Sequence, residues 1–404
     1  MPEAVIVSTA RTPIGRAFKG SLVNERADDL AAFIVDAALG KVPELDRNDV
    51  DDLMLGCGLP GGEQGFNMGR VVAILAGMVQ VPGCTITRYC SSSLQTLRMA
   101  THAIRAGEGD AFIAAGVETV SSFTRGGSSD HTPDTQNKRF QDAQLRSMAR
   151  ANGDQGEWTP PEGLPDVYIA MGETAENVAE VEGVSREEMD EYAFRSQQRA
   201  GAAIERGFFE REITPVTLAD GTVVSTDDCP RPGTELAKLA SLKPAFRPNG
   251  KVTAGNACPL NDGAAAVVVM SDTRAAELGI TPLARIVASG VTGLDPEIMG
   301  LGPIEASRQA LGRAGMTMDD VDLVEINEAF AAQVMPSALA LGIDMDKLNV
   351  NGGAIALGHP FGMTGARIMT TLLNGLEDAD KSIGLETMCV GGGQGMAMIV
   401  ERLS

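Results

Sequence analysis

The sequence around Cys90 places a thiol where a nucleophile can work. Residues 84–87 are typical of a β-strand, and apolar residues from Leu94 onward recur at three- and four-residue steps, which predicts a helix with residues 91–93 in its first turn. A thiol at such a turn lies at the positive end of a helix dipole, which lowers its pKa and favours the reactive thiolate. Taken alone, the stretch also fits a buried structural cysteine.

His359 lies between a glycine and a proline, in a glycine-rich stretch before a predicted helix. An imidazole held in such a turn can take a proton from a thiol or donate to an oxyanion. A loop histidine that caps backbone groups is the alternative. The other two histidines, His102 in a predicted helix and His131 in a polar segment, are expected to be structural.

Cys389 and Asn327 are two further candidates. Cys389 precedes the glycines 391–393, whose backbone N–H groups can approach a ligand closely and form an oxyanion hole. The run matches neither a P-loop nor a dinucleotide-binding fingerprint. Asn327 ends a predicted strand at 323–326, where ligands bind in α/β sheets, although a helix cap is the alternative.

Composition narrows the class of protein. The 404 residues carry a formal net charge of −21, which argues against nucleic acid or an anionic membrane surface as the main partner. The six cysteines show no metal-ligand spacing, so we expect no metal site. The first residues lack the basic region of a signal peptide, and no apolar run reaches the roughly 18 residues of a membrane span, so we expect a cytoplasmic protein.

Strands alternate with helices along the chain, which is typical of βαβ units and predicts a largely parallel sheet. The expected strands include 5–8, 111–116, 264–270 and 323–326, and the expected helices include 29–39, 174–182 and 186–205. Polar and turn residues dominate from about residue 121 to residue 251. We interpret that segment as an insertion over the sheet core; a surface decoration is the alternative.

An internal repeat organises the rest of the chain. Residues 37–55 and 309–327 share the order Ala-Leu-Gly, a basic residue, a turn, Asp-Val-Asp and an apolar strand. A Gly-x-Glu-Thr segment also follows Cys90 and His359 at nearly the same distance. The chain therefore divides into two similar α/β halves, and packing them together would bring those two turns close to each other.

Four motifs together resemble the thiolase family, in order and over essentially the whole chain. They are Cys-Ser-Ser at 90–92, Asn-Glu-Ala-Phe at 327–330, Gly-His-Pro at 358–360 and Cys-Val-Gly at 389–391. The segments 11–15, 252–256 and 261–266 are also similar to the family.

The resemblance implies a ping-pong acyl transfer between 3-ketoacyl-CoA and CoA, of the kind used in fatty acid beta-oxidation. Cys90, activated by His359, would form an acyl-cysteine, and Cys389 would act as an acid/base that titrates near the working pH. One oxyanion hole would consist of His359 and a water held by Asn327. The other would consist of the backbone N–H groups of Cys90 and Gly391.

The resemblance also implies which residues bind coenzyme A, which would be a substrate rather than a tightly bound cofactor. The matching positions are Arg231, Phe246, Ala254, Cys258, Met171, Ala329 and Phe330. The family assembles as dimers or dimers of dimers, so a homodimer or homotetramer is implied. A beta-oxidation enzyme that supplies the substrate is a further implied partner.

Three positions depart from the family pattern. Ser93 replaces a small glycine after the nucleophile, and Cys258 replaces a serine that bonds the pantetheine arm. Ala170 stands where the acetoacetyl-CoA branch has histidine, which favours a 3-ketoacyl-CoA thiolase over an acetyl-CoA acetyltransferase. A decarboxylating ketoacyl synthase would carry a Cys-His-His pattern instead. A non-catalytic, thiolase-like protein that binds CoA or lipid would lack the cysteine pair or the histidine.

The implied fold class is α/β, with a five-layered α/β/α/β/α sandwich of two similar halves, each with a mixed five-stranded sheet, plus an inserted loop domain. Residues 1–120 and 252–275 would form the N-terminal half. Residues 121–251 would form the loop domain that covers coenzyme A, and residues 276–404 the C-terminal half.

Overall fold

A computed structural model describes residues 2–125, 135–153 and 156–404 of the chain. These residues form twelve β-strands: β1 Ala4–Arg11, β2 Gly15–Arg16, β3 Asp52–Gly56, β4 Gly83–Ile86, β5 Ala111–Thr119, β6 Val216–Thr217, β7 Val223–Val224, β8 Asn261–Ser271, β9 Ala284–Gly293, β10 Leu323–Ile326, β11 Ile383–Val390 and β12 Gln394–Arg402. They also form twelve α-helices: α1 Ala27–Leu39, α2 Met68–Leu75, α3 Ser92–Ala106, α4 Gln141–Ala151, α5 Met171–Val181, α6 Arg186–Glu205, α7 Leu236–Ala240, α8 Asp272–Leu278, α9 Gly302–Ala314, α10 Ala331–Leu341, α11 Ala354–Leu357 and α12 Thr364–Asp378.

The sheet is mixed, so the prediction of a largely parallel sheet is wrong. The strand order is β10-β11-β12-β9-β1-β8-β5-β3-β4, with β2 paired to β8. Only β3 with β4, β3 with β5, and β10 with β11 run parallel among the described strands. The antiparallel pairs arise because β8 returns after the long insertion to lie between β1 and β5, and because β12 follows β11 directly through the glycine turn at 391–393.

The resemblance implied a mixed five-stranded sheet in each half, and the structure joins the two sets of strands edge to edge in one hydrogen-bonded sheet. The halves join where Val5 and Ile6 of β1 pair with Arg285 and Ala284 of β9. The C-terminal side has four full strands, and a single parallel bridge from Val324 to Leu348 takes the fifth position.

Three apolar cores separate the layers. One packs α1 and α2 on the outer face of the N-terminal strands, and another packs α5, α9 and α10 on the outer face of the C-terminal strands. The third lies between the two sets of strands and contains apolar side chains of α3 and α12. Residues of β8 alternate between the first and the third core, as expected for a strand buried on both faces. Helices on the two outer faces, two sets of strands and the central helices together make the five layers that the resemblance implied.

The segment between β5 and β8 contains four helices and the β6–β7 hairpin among its described residues. Helix α6 matches the predicted range 186–205, and a reciprocal capping box of Ser185 and Glu188 marks its start. Helix α5 begins earlier than predicted, at Met171. Helices α4 and α7 were not predicted. Within the described ranges, no helix combines the length and the apolar character needed to cross a membrane.

Candidate active site

The predicted strand-to-helix turn at Cys90 is confirmed. Residues Tyr89–Ser91 form a single 3₁₀ turn between β4 and α3. Tyr89 has a φ of 44°, in the left-handed region, so the chain reverses sharply just before the cysteine. The hydroxyl of Ser92 accepts a hydrogen bond from the Arg88 N–H at 2.9 Å, which fastens the turn. Cys90 is thereby held in the interior with 8% of its surface exposed.

Burial, rather than the helix dipole, has the largest effect on the pKa of the Cys90 thiol. Burial raises its pKa to about 11, although the N–H groups of Gly391 and of Cys90 itself act in the opposite direction and the Glu118 carboxylate adds to the rise. The prediction of a lowered pKa is therefore wrong for the free protein, because burial by both halves is not visible in the local sequence. Cys90 is a neutral thiol that needs a base.

His359 supplies a neutral imidazole in the loop between α11 and α12. Its backbone N–H donates to Asn261 Oδ1 at 2.9 Å. Its Nδ1 lies 2.6 Å from Thr364 Oγ1, and its Nε2 lies 3.3 Å from Asn327 Nδ2. Burial and, to a smaller extent, the positive charge of Arg367 lower the pKa of His359 to about 3. The ring is therefore an uncharged base at neutral pH.

Arg367 belongs to a group of buried charges behind this ring. Glu325 of β10 and Glu386 of β11 stand side by side in the sheet register, and both interact with the arginine. Burial raises the pKa of Glu325 to about 8 and that of Glu386 well above its ordinary value. Burial therefore disfavours the charged form of both carboxyl groups.

Glu118 ties the loop of His359 to the N-terminal half. This buried carboxylate at the end of β5 accepts backbone N–H groups from Gly58 at 2.7 Å, Leu59 at 3.1 Å and Gly362 at 2.8 Å. Gly362 follows His359 by three residues. One side chain therefore holds the loop that follows His359 against residues 58–59 of the N-terminal half.

Ser93 makes a second connection between the halves. Its hydroxyl accepts the N–H of Ala366, in the first turn of α12, at 2.9 Å. A Cβ at Gly365 would overlap the backbone of Leu94, so the two helices approach closely at that point. The departure from glycine at position 93 therefore fits the interior and adds a hydrogen bond between α3 and α12.

Asn327 directly follows β10 and points at His359. Its backbone carbonyl accepts Gln333 Nε2 at 2.7 Å. Its Oδ1 is buried and has no hydrogen-bond partner among the described residues, so it can accept from a water or a substrate. This geometry is compatible with the oxyanion-hole role that the resemblance implied.

The neighbouring Glu328 is a positioning residue that the sequence did not reveal. Its carboxylate accepts from Tyr192 Oη at 2.8 Å, Ser196 Oγ at 2.7 Å, Asn349 Nδ2 at 2.9 Å and the Ile355 N–H at 3.1 Å. It therefore fastens the end of β10 to α6 and α11. A Cβ at Gly353 would overlap this carboxylate, so glycine is required there.

Cys389 lies near the end of β11 and is fully buried. Burial raises its pKa well above the ordinary value, and interaction with the sulfurs of Cys90 and Cys258 raises it further. The three sulfurs are thus neighbours. The expectation that Cys389 titrates near the working pH is wrong for the free protein, in which its thiol keeps the proton.

The residues proposed for coenzyme A form two adjoining groups. In the first, the rings of Phe246 and Phe330 meet edge to face at 6.1 Å, Phe246 packs against the residue after Met171, and the Cys258 N–H donates to Ala329 O at 3.0 Å. In the second, Arg231 and Ala254 line one cleft together with Ala257 and Pro259, the two neighbours of Cys258. Cys258 and its two chain neighbours connect the first group with the second.

His102 does not join the site, because it is exposed on α3. His131 lies outside the described residues. No cluster of three or more His, Cys, Asp or Glu side chains is arranged to hold a metal ion in the described part of the chain. Sequence reasoning missed Thr364 and the contacts of Glu118. A charged residue at the end of the apolar run 111–117 was the available signal for Glu118.

Comparison with known proteins gives matches over the whole chain. The family models described as "Thiolase, N-terminal domain" and "Thiolase, C-terminal domain" match residues 4–273 and 280–402. The chain is 44% identical to the 3-ketoacyl-CoA thiolases of Aeromonas hydrophila subsp. hydrophila and of Vibrio cholerae serotype O1, with 100% of each chain covered. It is also similar to the crystal structure of the Bacillus anthracis acetyl-CoA acetyltransferase, with a TM-score of 0.86 and 38% identity over 100% of this chain and 99% of that chain.

Proposed function

Since the chain belongs to the thiolase family and is an acyltransferase, we propose that it cleaves 3-ketoacyl-CoA with CoA through an acyl-cysteine at Cys90. The observation that carries this proposal is the arrangement of Cys90. Its sulfur receives the N–H of Gly391, while the neutral imidazole of His359 lies in a loop that Glu118 holds to the N-terminal half.

In the first half-reaction, His359 takes the proton of Cys90, and the thiolate attacks the C3 carbonyl of the substrate. The N–H groups of Cys90 and Gly391 stabilise the resulting oxyanion. The C2–C3 bond then breaks, which leaves the acyl group on the sulfur. The departing enolate of acetyl-CoA takes the proton of Cys389, and His359 with Asn327 stabilises the enolate oxygen.

In the second half-reaction, CoA replaces acetyl-CoA. The thiolate of Cys389 takes the proton of the CoA thiol, and the CoA sulfur attacks the acyl carbonyl. The Cys90–acyl bond breaks to give the shortened acyl-CoA, and Cys90 recovers the proton held by His359. The high pKa of Cys389 suits this role, because a neutral thiol carries the proton that the enolate needs.

Coenzyme A would lie along the two groups of residues described above, and the segment 121–251 would cover it. Arg231, which is exposed at the outer cleft, would meet the nucleotide phosphates, and Phe246, Phe330 and Met171 would line the pantetheine arm. We retain the three-part division of the chain, with boundaries at 120, 251 and 275, as part of this proposal.

Acetyl-CoA acetyltransferase is the second candidate function. The Bacillus anthracis structure of that name supports it, at 38% identity against 44% for the 3-ketoacyl-CoA thiolases. Ala170, just before α5, favours the thiolase that acts on longer substrates.

We further propose a homodimer in the cytoplasm that uses the free edge of β4. This strand is the last in the sheet order, and α2 beside it exposes Ile74 and Leu75, with Phe66 93% exposed nearby. A dimer of dimers, and an association with a beta-oxidation enzyme that supplies the substrate, are extensions of this proposal. Sedimentation of wild type and of Phe66→Glu tests the proposed interface at the edge of β4. The variant should shift the protein from dimer to monomer.

The test of the proposed function is thiolysis of 3-ketoacyl-CoA substrates of increasing length with free CoA, followed by the loss of ketoacyl-CoA absorbance. Activity that extends beyond the four-carbon substrate supports the thiolase, whereas activity on acetoacetyl-CoA alone supports the acetyltransferase. Cys90→Ala should abolish labelling of the protein by radioactive acetyl-CoA. If Cys90→Ala is labelled like wild type, the nucleophile is another residue.

A further inference from the structure

We propose that Thr364 sets the tautomer of His359, so that Nδ1 carries the ring proton and Nε2 is the atom that takes the proton of Cys90. This inference rests on the proposed function for its catalytic meaning. Its structural content, the position of one proton, can be measured independently. Thr364 is the first residue of α12 and is fully buried.

The hydroxyl of Thr364 has two close polar neighbours and one hydrogen. Its Oγ1 lies 2.7 Å from the carbonyl oxygen of Pro360 and 2.6 Å from His359 Nδ1. A carbonyl oxygen only accepts hydrogen bonds, so the hydroxyl must donate to Pro360. The contact with Nδ1 can then be a hydrogen bond only if Nδ1 carries the hydrogen and Thr364 accepts it.

The opposite side of the ring agrees with this assignment. Nε2 lies 3.3 Å from Asn327 Nδ2, which is a donor and so faces a bare nitrogen. A neutral imidazole has a single ring proton, and the neutral form is favoured because the ring is buried next to the cationic Arg367. One proton on Nδ1 therefore leaves a lone pair on Nε2.

The position of Thr364 is rigid enough for this role. A threonine hydroxyl that bonds the carbonyl four residues earlier is held against its own backbone. The histidine is fixed at its backbone by Asn261, and the ring of Phe361 packs edge to face against the imidazole at 5.2 Å. The threonine therefore acts through the imidazole and is a positioning residue.

The tautomer matters because only a bare Nε2 can accept the thiol proton. With the proton on Nε2 instead, His359 would present a donor toward the reacting groups and could not activate Cys90. A wrong tautomer leaves the geometry intact but removes the base, which reduces the rate of acylation more than the binding of substrate.

Three variants test the proposal. Thr364→Val removes the acceptor, Thr364→Ser retains it, and Thr370→Val is the matched control, because Thr370 bonds the carbonyl of Ala366 at 2.8 Å in the same helix without touching the histidine. We expect Thr364→Val to slow acylation of Cys90 roughly 10- to 100-fold with little change in KM. Thr364→Ser and Thr370→Val should remain within a few-fold of wild type.

The direct readout is the ¹⁵N spectrum of histidine-labelled protein. The chain has only three histidines, and loss of signals in His359→Gln identifies those of His359. Wild type, Thr364→Ser and Thr370→Val should show a protonated Nδ1 and a bare Nε2, whereas Thr364→Val should show a change in that pattern. A wild-type proton on Nε2, an imidazolium at neutral pH, or a Thr364→Val protein equal to wild type in spectrum and acylation would overturn the proposal.

Two complications have separate outcomes. If Thr364→Val does not fold, the wild-type and Thr364→Ser spectra still decide where the proton lies. If the wild type shows the proton on Nδ1 but cleaves no 3-ketoacyl-CoA, the tautomer assignment stands and the proposed function fails.

Discussion

We expect Glu118→Gln to change stability in a way that depends on pH. Burial raises the pKa of Glu118 from 4.5 to about 7 in the folded protein, despite three opposing backbone hydrogen bonds. A carboxyl group with a raised pKa holds its proton more tightly when folded, so wild type loses stability as the pH rises from about 4.5 through 7. This difference of pKa corresponds to about 2.5 kcal/mol between pH 5 and pH 8.5.

The glutamine variant lacks this titration but has a cost of its own. The amide group must turn one NH₂ toward a backbone N–H, and the least costly orientation faces Leu59, since the other oxygen accepts both Gly58 and Gly362. One unpaired buried N–H costs about 1–3 kcal/mol. Glu118→Gln should therefore be less stable than wild type by about that amount at pH 5, with most of the difference gone at pH 8.5.

Urea unfolding of both proteins at equal concentration, at pH 5 and pH 8.5, measures the effect. Glu205→Gln is the control, because it is the same substitution at an exposed position, at the end of α6. A constant gap between wild type and Glu118→Gln, or one that widens at pH 8.5, would refute the reasoning. In Glu118→Gln, the pH dependence of Cys90 alkylation by iodoacetamide should also shift to lower pH than in wild type. The reason is that the Glu118 charge, which the variant lacks, raises the pKa of that thiol.

Three other outcomes follow from contacts in the site. Gly353→Ala should lower stability by about 2–4 kcal/mol and reduce kcat, because its Cβ would displace the Glu328 carboxylate; thermal unfolding and thiolysis rates check this. Ser93→Ala should cost about 1–3 kcal/mol in urea unfolding, because the buried N–H of Ala366 loses its acceptor, and an unchanged midpoint would contradict that contact. Wild type should lose stability relative to His359→Gln as the pH falls from about 6.5 toward 3, by roughly 2.5 kcal/mol at pH 4.5, because the folded protein resists protonation of the buried ring.

Local signals explain what could be predicted of the fold. Helix α6 was predicted with its observed bounds, and the capping box of Ser185 and Glu188 is a local sequence feature at its start. Helix α4 was missed because most of its residues are polar and it buries only Ala143, so the sequence gives little apolar signal for it. The joint between β1 and β9 pairs Val5 with Arg285, residues far apart in the sequence, and no local pattern encodes it.

The site was predictable in its residue types and only partly in its chemistry. The motifs identified Cys90, His359, Asn327 and Cys389 as candidates, and the structure brings their turns together. The pKa values of the two cysteines depend on burial created by both halves, which is not a local property. The hydrogen bonds of Glu118 and Thr364 depend on the positions of individual atoms in the tertiary structure, so the sequence motifs did not predict them.

The central layer, formed by α3 and α12, determines at which stage of unfolding by heat or denaturant the active site is disrupted. Helices α3 and α12, which begin at the Cys90 turn and just after His359, lie between the two sets of strands, with apolar core on both sides of them. Their amides should exchange with deuterium only when the whole molecule opens, whereas the amides of α4, which buries a single residue, should exchange through small local openings. Helix α4 can therefore open locally while the reacting groups keep a fixed geometry until global unfolding.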